Sequence, residues 1–389
     1  MIKCASLFTC ELDSPEVALE EIKSQLSEKI ELKANTVGII MCHTEFIEAD
    51  ILIHVAEGLP FEVIGLTTVG QAVNDIVDEM VLTVFVMTSD DVQFATGSVI
   101  MGDIATAAEA LKNAAIEATP AGEIPGLILT FPPMTQDCPG DFYTATWSHI
   151  FPGVPAAGCM PATDNPGAAG SKVYYKGEIS ERLHAFVLCF GAVNPRFIIA
   201  TLPDKDKHPR TGTVTRSQGP LVHEIDGQDA IDYMQKIGII DETGESLGAG
   251  YAVPFMINHK DYDGVPVLRG LVSILNEPRA AVFAGSIDEG SSFTMLNMKP
   301  DDTLLTTEKE LQKVADMNDV NGILAFSCAM RYVVLLSTDP TTEMASIQKL
   351  LSDVPFMASY VGGELCPTSE HGGAYTNRFH NYSLVAVVL

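Results

Sequence analysis

Two arginines and one glutamate in this chain stand where a charged group needs a reason. Arg269 lies within PVLRGLV, bordered by Val267, Leu268, Leu271 and Val272, and a guanidinium buried on such a strand requires a fixed anionic partner. That partner is either an internal acid or a ligand carboxylate held by two parallel hydrogen bonds. Arg331, in FSCAMR, raises the same two readings. Glu364 follows Gly362 and Gly363 in VGGE, where a loop carboxylate suits an ammonium group or is simply a solvated acid. Arg269 for a carboxylate and Glu364 for an amine together fit an amino acid.

Other candidates surround these. Thr67 and Thr68, beside Gly65 and Gly70 in GLTTVG, offer two hydroxyls at the end of an apolar run, where α/β proteins place ligands. His380 and Asn381 precede the terminal apolar segment Leu384 to Leu389, and the imidazole reads as a structural histidine or a ligand contact. Cys328, at the end of a strand-like run, is a small buried hydrophobe or a reactive thiol. A hydrolase of small amides, esters or thioesters using Cys328 or a loop acid is therefore an alternative to a binding protein. No G-x-S-x-G, P-loop or G-x-G-x-x-G stands in a strand-to-helix context, so catalysis has no motif behind it. The histidines and cysteines are dispersed without C-x-x-C spacing, and no metal site is expected.

The elements that must position these residues repeat. An apolar strand, a short helix and a second strand running into a glycine-rich loop occur over 36–70, 125–170 and 322–364. The loops are GLTTVG, AAGCMPATDNPG and SYVGGE, and each second strand begins just after a proline. Glycine admits a bound group close to main-chain N–H, so three such loops read as one site assembled from distant parts of the chain. An opening strand over 3–9 and a helix capped by Ser14, with Pro15 first and Val17, Ala18, Ile22 and Leu26 inward, precede the first repeat. The polar stretch 201–219, rich in Lys and Arg, reads as an interdomain linker. After it come a turn at Asp226-Gly227, strands over 265–274 and 280–286, and a helix opened by a capping box of Thr307 and Glu310. The fold expected is mixed α/β: two related halves, 1–205 and 206–389, with helices flanking mixed sheets and glycine-rich loops at strand ends.

Composition narrows the class. With 51 acidic against 23 basic residues and a formal charge of -28, the chain would repel a nucleic-acid backbone. The N-terminal apolar run is too short for a signal peptide, and no uninterrupted apolar stretch approaches the roughly 18 residues of a membrane span. A reduced, cytoplasmic, soluble protein that binds neither membrane nor nucleic acid is expected.

The order of motifs resembles the FIST sensory domain in its paired N-terminal and C-terminal parts. GLTTVG, the run from Val214 to Ala230, VLRGLV, FAGSIDEGS, FSCAMR, VGGE and the terminal HN carry the resemblance from about Thr36 onward. It implies an intracellular sensor of small ligands, with amino acids proposed, that signals to a separate protein such as a kinase or chemotaxis receptor. Self-association into a homodimer is left open. The site it implies comprises Thr67, Thr68, Gly70, Arg269, Cys328, Arg331, Gly363, Glu364, His380 and Asn381, with no catalytic or metal residue. No cofactor is expected; the alternative is haem ligated by His380, because some FIST proteins are haem-based nitric oxide sensors. The chain departs from the family pattern at Gly158-Cys159 and Asp164-Asn165 in the second loop and at Tyr382-Ser383 after HN.

Overall fold

A computed structural model describes the chain apart from residues 136–137, 166–168, 203–206, 242, 244–252, 260–265 and 372–373. Three modules of like topology follow one another. The first comprises β1 (Lys3–Thr9), α1 (Pro15–Lys29), β2 (Asn35–Cys42), α2 (Glu45–Glu48), α3 (Ile51–Gly58), β3 (Glu62–Thr67), β4 (Val69–Val73), β5 (Ile76–Asp78) and β6 (Leu82–Ser89). The second runs β7 (Gln93–Ile100), α4 (Ile104–Ala118), β8 (Leu127–Phe131), α5 (Gly140–Ile150), β9 (Ala156–Met160), β10 (Val173–Tyr175), β11 (Glu178–Ser180) and β12 (Leu183–Phe190).

The third module opens with β13 (Arg196–Ala200) and is interrupted by an inserted segment. That segment contains β14 (Lys207–Gln218), β15 (Leu221–Ile225), β16 (Gln228–Asp229), α6 (Ala230–Lys236), β17 (Phe255–Asn258), β18 (Val267–Arg269), β19 (Leu271–Asn276), β20 (Arg279–Phe283) and β21 (Ser292–Leu296). The module then resumes with α7 (Pro300–Leu311), β22 (Ile323–Cys328), α8 (Ala329–Leu335), α9 (Thr341–Leu351), β23 (Phe356–Val361), β24 (Gly363–His371), β25 (Ala374–His380) and β26 (Leu384–Val388).

Three six-stranded sheets result, ordered β1-β6-β2-β3-β10-β11, β7-β12-β8-β9-β24-β25 and β13-β26-β22-β23-β4-β5. In each, the two strands of a sequence repeat form the parallel pair: β2 with β3, β8 with β9, β22 with β23. The remaining neighbours are antiparallel. The hairpin at the far edge is always supplied by another module, in a cycle: the first lends β4-β5 to the third, the third lends β24-β25 to the second, and the second lends β10-β11 to the first. No module can complete its own sheet, which ties the three into one cooperative body.

The inner faces of all three sheets share one apolar core, including Ile39, Met41, Leu66, Phe85, Phe131, Cys159, Phe326 and Val385. Each outer face is covered by helices with its own cluster. Strands covered on both sides carry unbroken buried runs, as in β6, where every position is buried. In the inserted segment, β18 and β19 are halves of one strand broken at Gly270; β18 pairs with β17 and β19 with β20, so the sheet closes on itself as a barrel. Phe255, Phe283 and Phe293 fill it.

The mixed α/β class and the strand-helix-strand repeats agree with the sequence reading. So do the opening strand, the Ser14 cap accepting from Val17 N, and the Asp226-Gly227 turn, whose φ values are 50° and 73°. Val17, expected in the core, is 42% exposed. The expected linker is largely β14, a barrel strand in which Val214 is buried and Thr211, Thr213, Thr215, Arg216 and Gln218 are exposed; the boundary at 205/206 lies outside the described residues. Thr307 and Glu310 do not cap a helix: α7 begins at Pro300, and Thr307 is a buried residue within it. The strand expected from Val265 is split at Gly270, and Val265 lies outside the described residues.

Candidate ligand-binding site

The three glycine loops meet at the ends of the parallel pairs, and they close on one another. Ala162 N donates to Thr67 O at 2.9 Å, and Gly362 N donates to Met160 O at 2.9 Å. The third side of this ring is the pairing of Tyr360 with Val69. Thr67 is fully buried; its N–H donates to Lys172 O at 3.0 Å and its hydroxyl accepts from Lys172 N at 3.0 Å. Amides expected to receive a ligand are thus engaged with the chain itself. The glycines have a steric reason. A Cβ on Gly362 would lie 2.4 Å from Pro161 O, one on Gly363 would lie 2.6 Å from the Phe379 ring, and Gly70 has φ +59° against Tyr360.

Both arginines are saturated by internal acids that sequence reasoning did not single out. Arg269 Nη2 is 2.7 Å from Asp141 Oδ1, while its other nitrogens donate to Leu268 O, Phe379 O and Ser286 O at 3.0, 3.1 and 3.2 Å. Asp141 Oδ2 also accepts from Ser286 N at 2.7 Å. This cluster fastens the barrel to α5 and β25. Arg331 and Glu343 are a fully buried pair at 2.6 Å, completed by Thr307, Ser327 and the carbonyls of Thr303 and Tyr382. Neither guanidinium is open to a ligand carboxylate, and the structure does not bring Arg269 and Glu364 together as a pair.

Glu364 is not on a loop. It is the second residue of β24, fully buried, directly opposite Cys159 on one side and His380 on the other. Oε2 accepts from Ser383 Oγ at 3.0 Å, and Oε1 has no partner. Burial raises its pKa well above the usual carboxylate range, against the opposing pull of Ser383, Cys328 and Arg331. Cys328 is 2% exposed and its pKa is raised by burial and then by the Glu364 charge, which favours the thiol over the nucleophilic thiolate. His380 is buried with Nε2 3.0 Å from Cys366 O, and desolvation lowers its pKa to about 4. Enclosed and engaged in this way, the imidazole does not fit haem ligation. Thr68 Oγ1 and Asn381 Oδ1 are, like Glu364 Oε1, buried without a partner.

Two open cavities lie elsewhere, one where the barrel meets the body and one whose described lining belongs to the body alone. One cavity of about 530 Å³ is lined by Leu202 and Thr201 after β13, Met256 and Leu268 of the barrel, and Leu305 and Lys309 of α7. A second, of about 480 Å³, runs along β13 past Arg196, Lys313, Thr368 and Tyr375. Ile199 and Glu310 line both. None of these residues was a candidate from sequence; the signal was present only as an amphipathic α7 that keeps Leu305 53% exposed. Among the described residues, no group of three or more His, Cys, Asp or Glu could hold a metal ion. No helix there is long and apolar enough to cross a membrane.

The chain is thus a three-sheet α/β body with an inserted barrel and a cavity at their junction. The chain belongs to the FIST family: residues 36–228 match the FIST N domain and residues 230–367 the FIST C domain. FIST domains are sensory domains implicated in signal transduction. A comparison with curated proteins gives no match.

Proposed function

We propose that this chain is a small-ligand sensory protein whose ligand occupies the junction between barrel and body. The observation that carries this reading is the cavity of about 530 Å³, within the 300–1,000 Å³ usual for ligand sites and placed, as such sites commonly are, between two structural units. Leu202, Met256, Leu268 and Leu296, which line it, belong to one apolar cluster with Met330, Val334 and Tyr382. Occupancy therefore bears on α8 and on the Tyr382-Ser383 segment. Tyr382 itself has φ +57°, a strained conformation for an aromatic residue, and a Cβ on Gly270 of the barrel would lie 2.6 Å from its hydroxyl. A ligand that changes the seating of the barrel would shift this segment, and a separate protein would read the result.

Melting temperature in the presence of a broad panel of small carboxylates, amino acids and neutral ligands tests the reading. A binder stabilises in proportion to the logarithm of its excess. The substitution Leu305→Trp, at the cavity rim, should remove the gain; persistence of the full gain in this variant would count against the junction.

A further inference from the structure

Among the described residues, the lining of the junction cavity and of the cavity beside it lacks the acidic excess of the rest of the molecule. The chain has 51 acidic and 23 basic residues, yet among the described residues the charged side chains lining the junction cavity are Lys309 and Glu310, and those lining the adjoining cavity are Arg196, Lys313 and the same Glu310. Glu310 is shared: its carboxylate contacts Lys313 and lies 3.9 Å from Lys309. One acid cannot neutralise both lysines, and Arg196, whose Nη1 donates to Asn318 O at 2.9 Å, adds a third positive charge. The neighbouring wall is apolar, formed by Ile199, Leu202, Met256, Leu268, Leu296 and Leu305. Thr368, on the cationic side, carries a buried hydroxyl without a partner.

Resting on the junction reading above, we propose that the ligand is an amphipathic anion: an alkyl or similarly apolar chain with a carboxylate head. The apolar body lies between barrel and α7, and the head group faces Lys309, Lys313 and Arg196. The two parts have different effects. Burial of each methylene against the leucine wall supplies affinity, because apolar transfer accumulates along a chain. The cations lie near the surface, with Lys309 and Lys313 side chains 75% and 58% exposed, so each pair is weak and screened by salt. They select the anion over its neutral counterpart by about tenfold in total rather than by orders of magnitude. A free amino acid would place a second, ammonium charge against this same cationic rim, and lacks the apolar length.

Isothermal titration with decanoate and with decanol, both below their aggregation limits, separates the two contributions. The expected result is that decanoate binds about tenfold tighter than decanol, and that the preference disappears in the double variant Lys309→Glu/Lys313→Glu. Decanol affinity in that variant should stay within twofold and its melting temperature within a degree or two of the parent. Raising salt to about 0.5 M should shrink the preference in the parent. Equal binding of the two probes, with both lost in Leu305→Trp, would overturn the anionic class while leaving the junction as the site. Binding of neither probe would also overturn the amphipathic class. Binding of both probes unchanged in Leu305→Trp and Thr306→Trp would overturn the junction itself. Should Thr306→Trp fail to fold, Leu305→Trp alone decides, because Leu305 is largely exposed and tolerates a larger side chain.

Discussion

The glycine-loop end and the barrel–body junction are two regions where distant parts of the chain converge, and they solve the problem in opposite ways. At the loop end the backbone amides of Thr67, Ala162 and Gly362 bind main-chain carbonyls, and the missing glycine side chains are replaced by close contacts from Pro161, Met134, Tyr360 and Phe379. At the junction, side chains of β13, β17, β18 and α7 leave volume between them. Glycine therefore serves chain approach in one place, while open volume arises where the inserted barrel is set against the body. Two buried acids of the body are also treated differently. Glu343 is matched by Arg331, Thr307 and Ser327, whereas Glu364 has one oxygen paired with Ser383 and one with nothing.

The largest effect that sharpens this contrast is removal of Glu343. Glu343→Ala leaves Arg331 charged and buried without its partner, and should cost about 3–5 kcal/mol in urea unfolding. A cost below about 1 kcal/mol would mean the pair is not the structural element its geometry implies. Next in size, Gly362→Ala should cost about 1–3 kcal/mol through its contact with Pro161 O. It should leave the stabilisation by any bound ligand unchanged; loss of ligand response with the fold intact would return the site to the loops.

Glu364→Gln addresses the half-satisfied acid. With its pKa raised in the folded state, Glu364 stays protonated above pH 4.5, where the unfolded carboxyl releases its proton. Its contribution to stability is thus fully present below that pH and declines as pH rises, by about 1.4 kcal/mol per unit, until the folded pKa is passed. The glutamine variant should lack this decline and become relatively more stable toward neutral pH; parallel stability–pH curves for parent and variant would refute the assignment. The smallest effect is expected at the junction rim, where Lys309→Glu should change stability by no more than about 0.5 kcal/mol.

Much of the body was legible because local rules and tertiary demands agree there. Proline before each second strand, the Ser14 cap and the unbroken apolar runs identify the parallel pairs directly. The cyclic exchange of hairpins was not legible, since nothing in a short strand such as β10 states which sheet it will join. At the candidate site, the sequence pointed to Arg269 and Arg331 as charges needing partners, which they are, whereas Glu364, read as a loop acid, is a buried strand residue. It could not name Asp141 and Glu343 among 51 acids, because those partners lie 128 and 12 residues away in sequence and are set by how α5 and α9 pack. A cavity made by leucines and a methionine from four elements and the segment after β13 carries no motif. The basic stretch after Thr201, read as a linker, is largely a barrel strand.

The most direct test of the central claim is amide hydrogen exchange with and without a ligand that raises the melting temperature. Added protection at β13, β17, β18 and α7, with Thr67–Gly70 and Gly362–Glu364 unchanged, is the result expected. Protection confined to those two glycine loops, with the junction unaltered, would contradict the account.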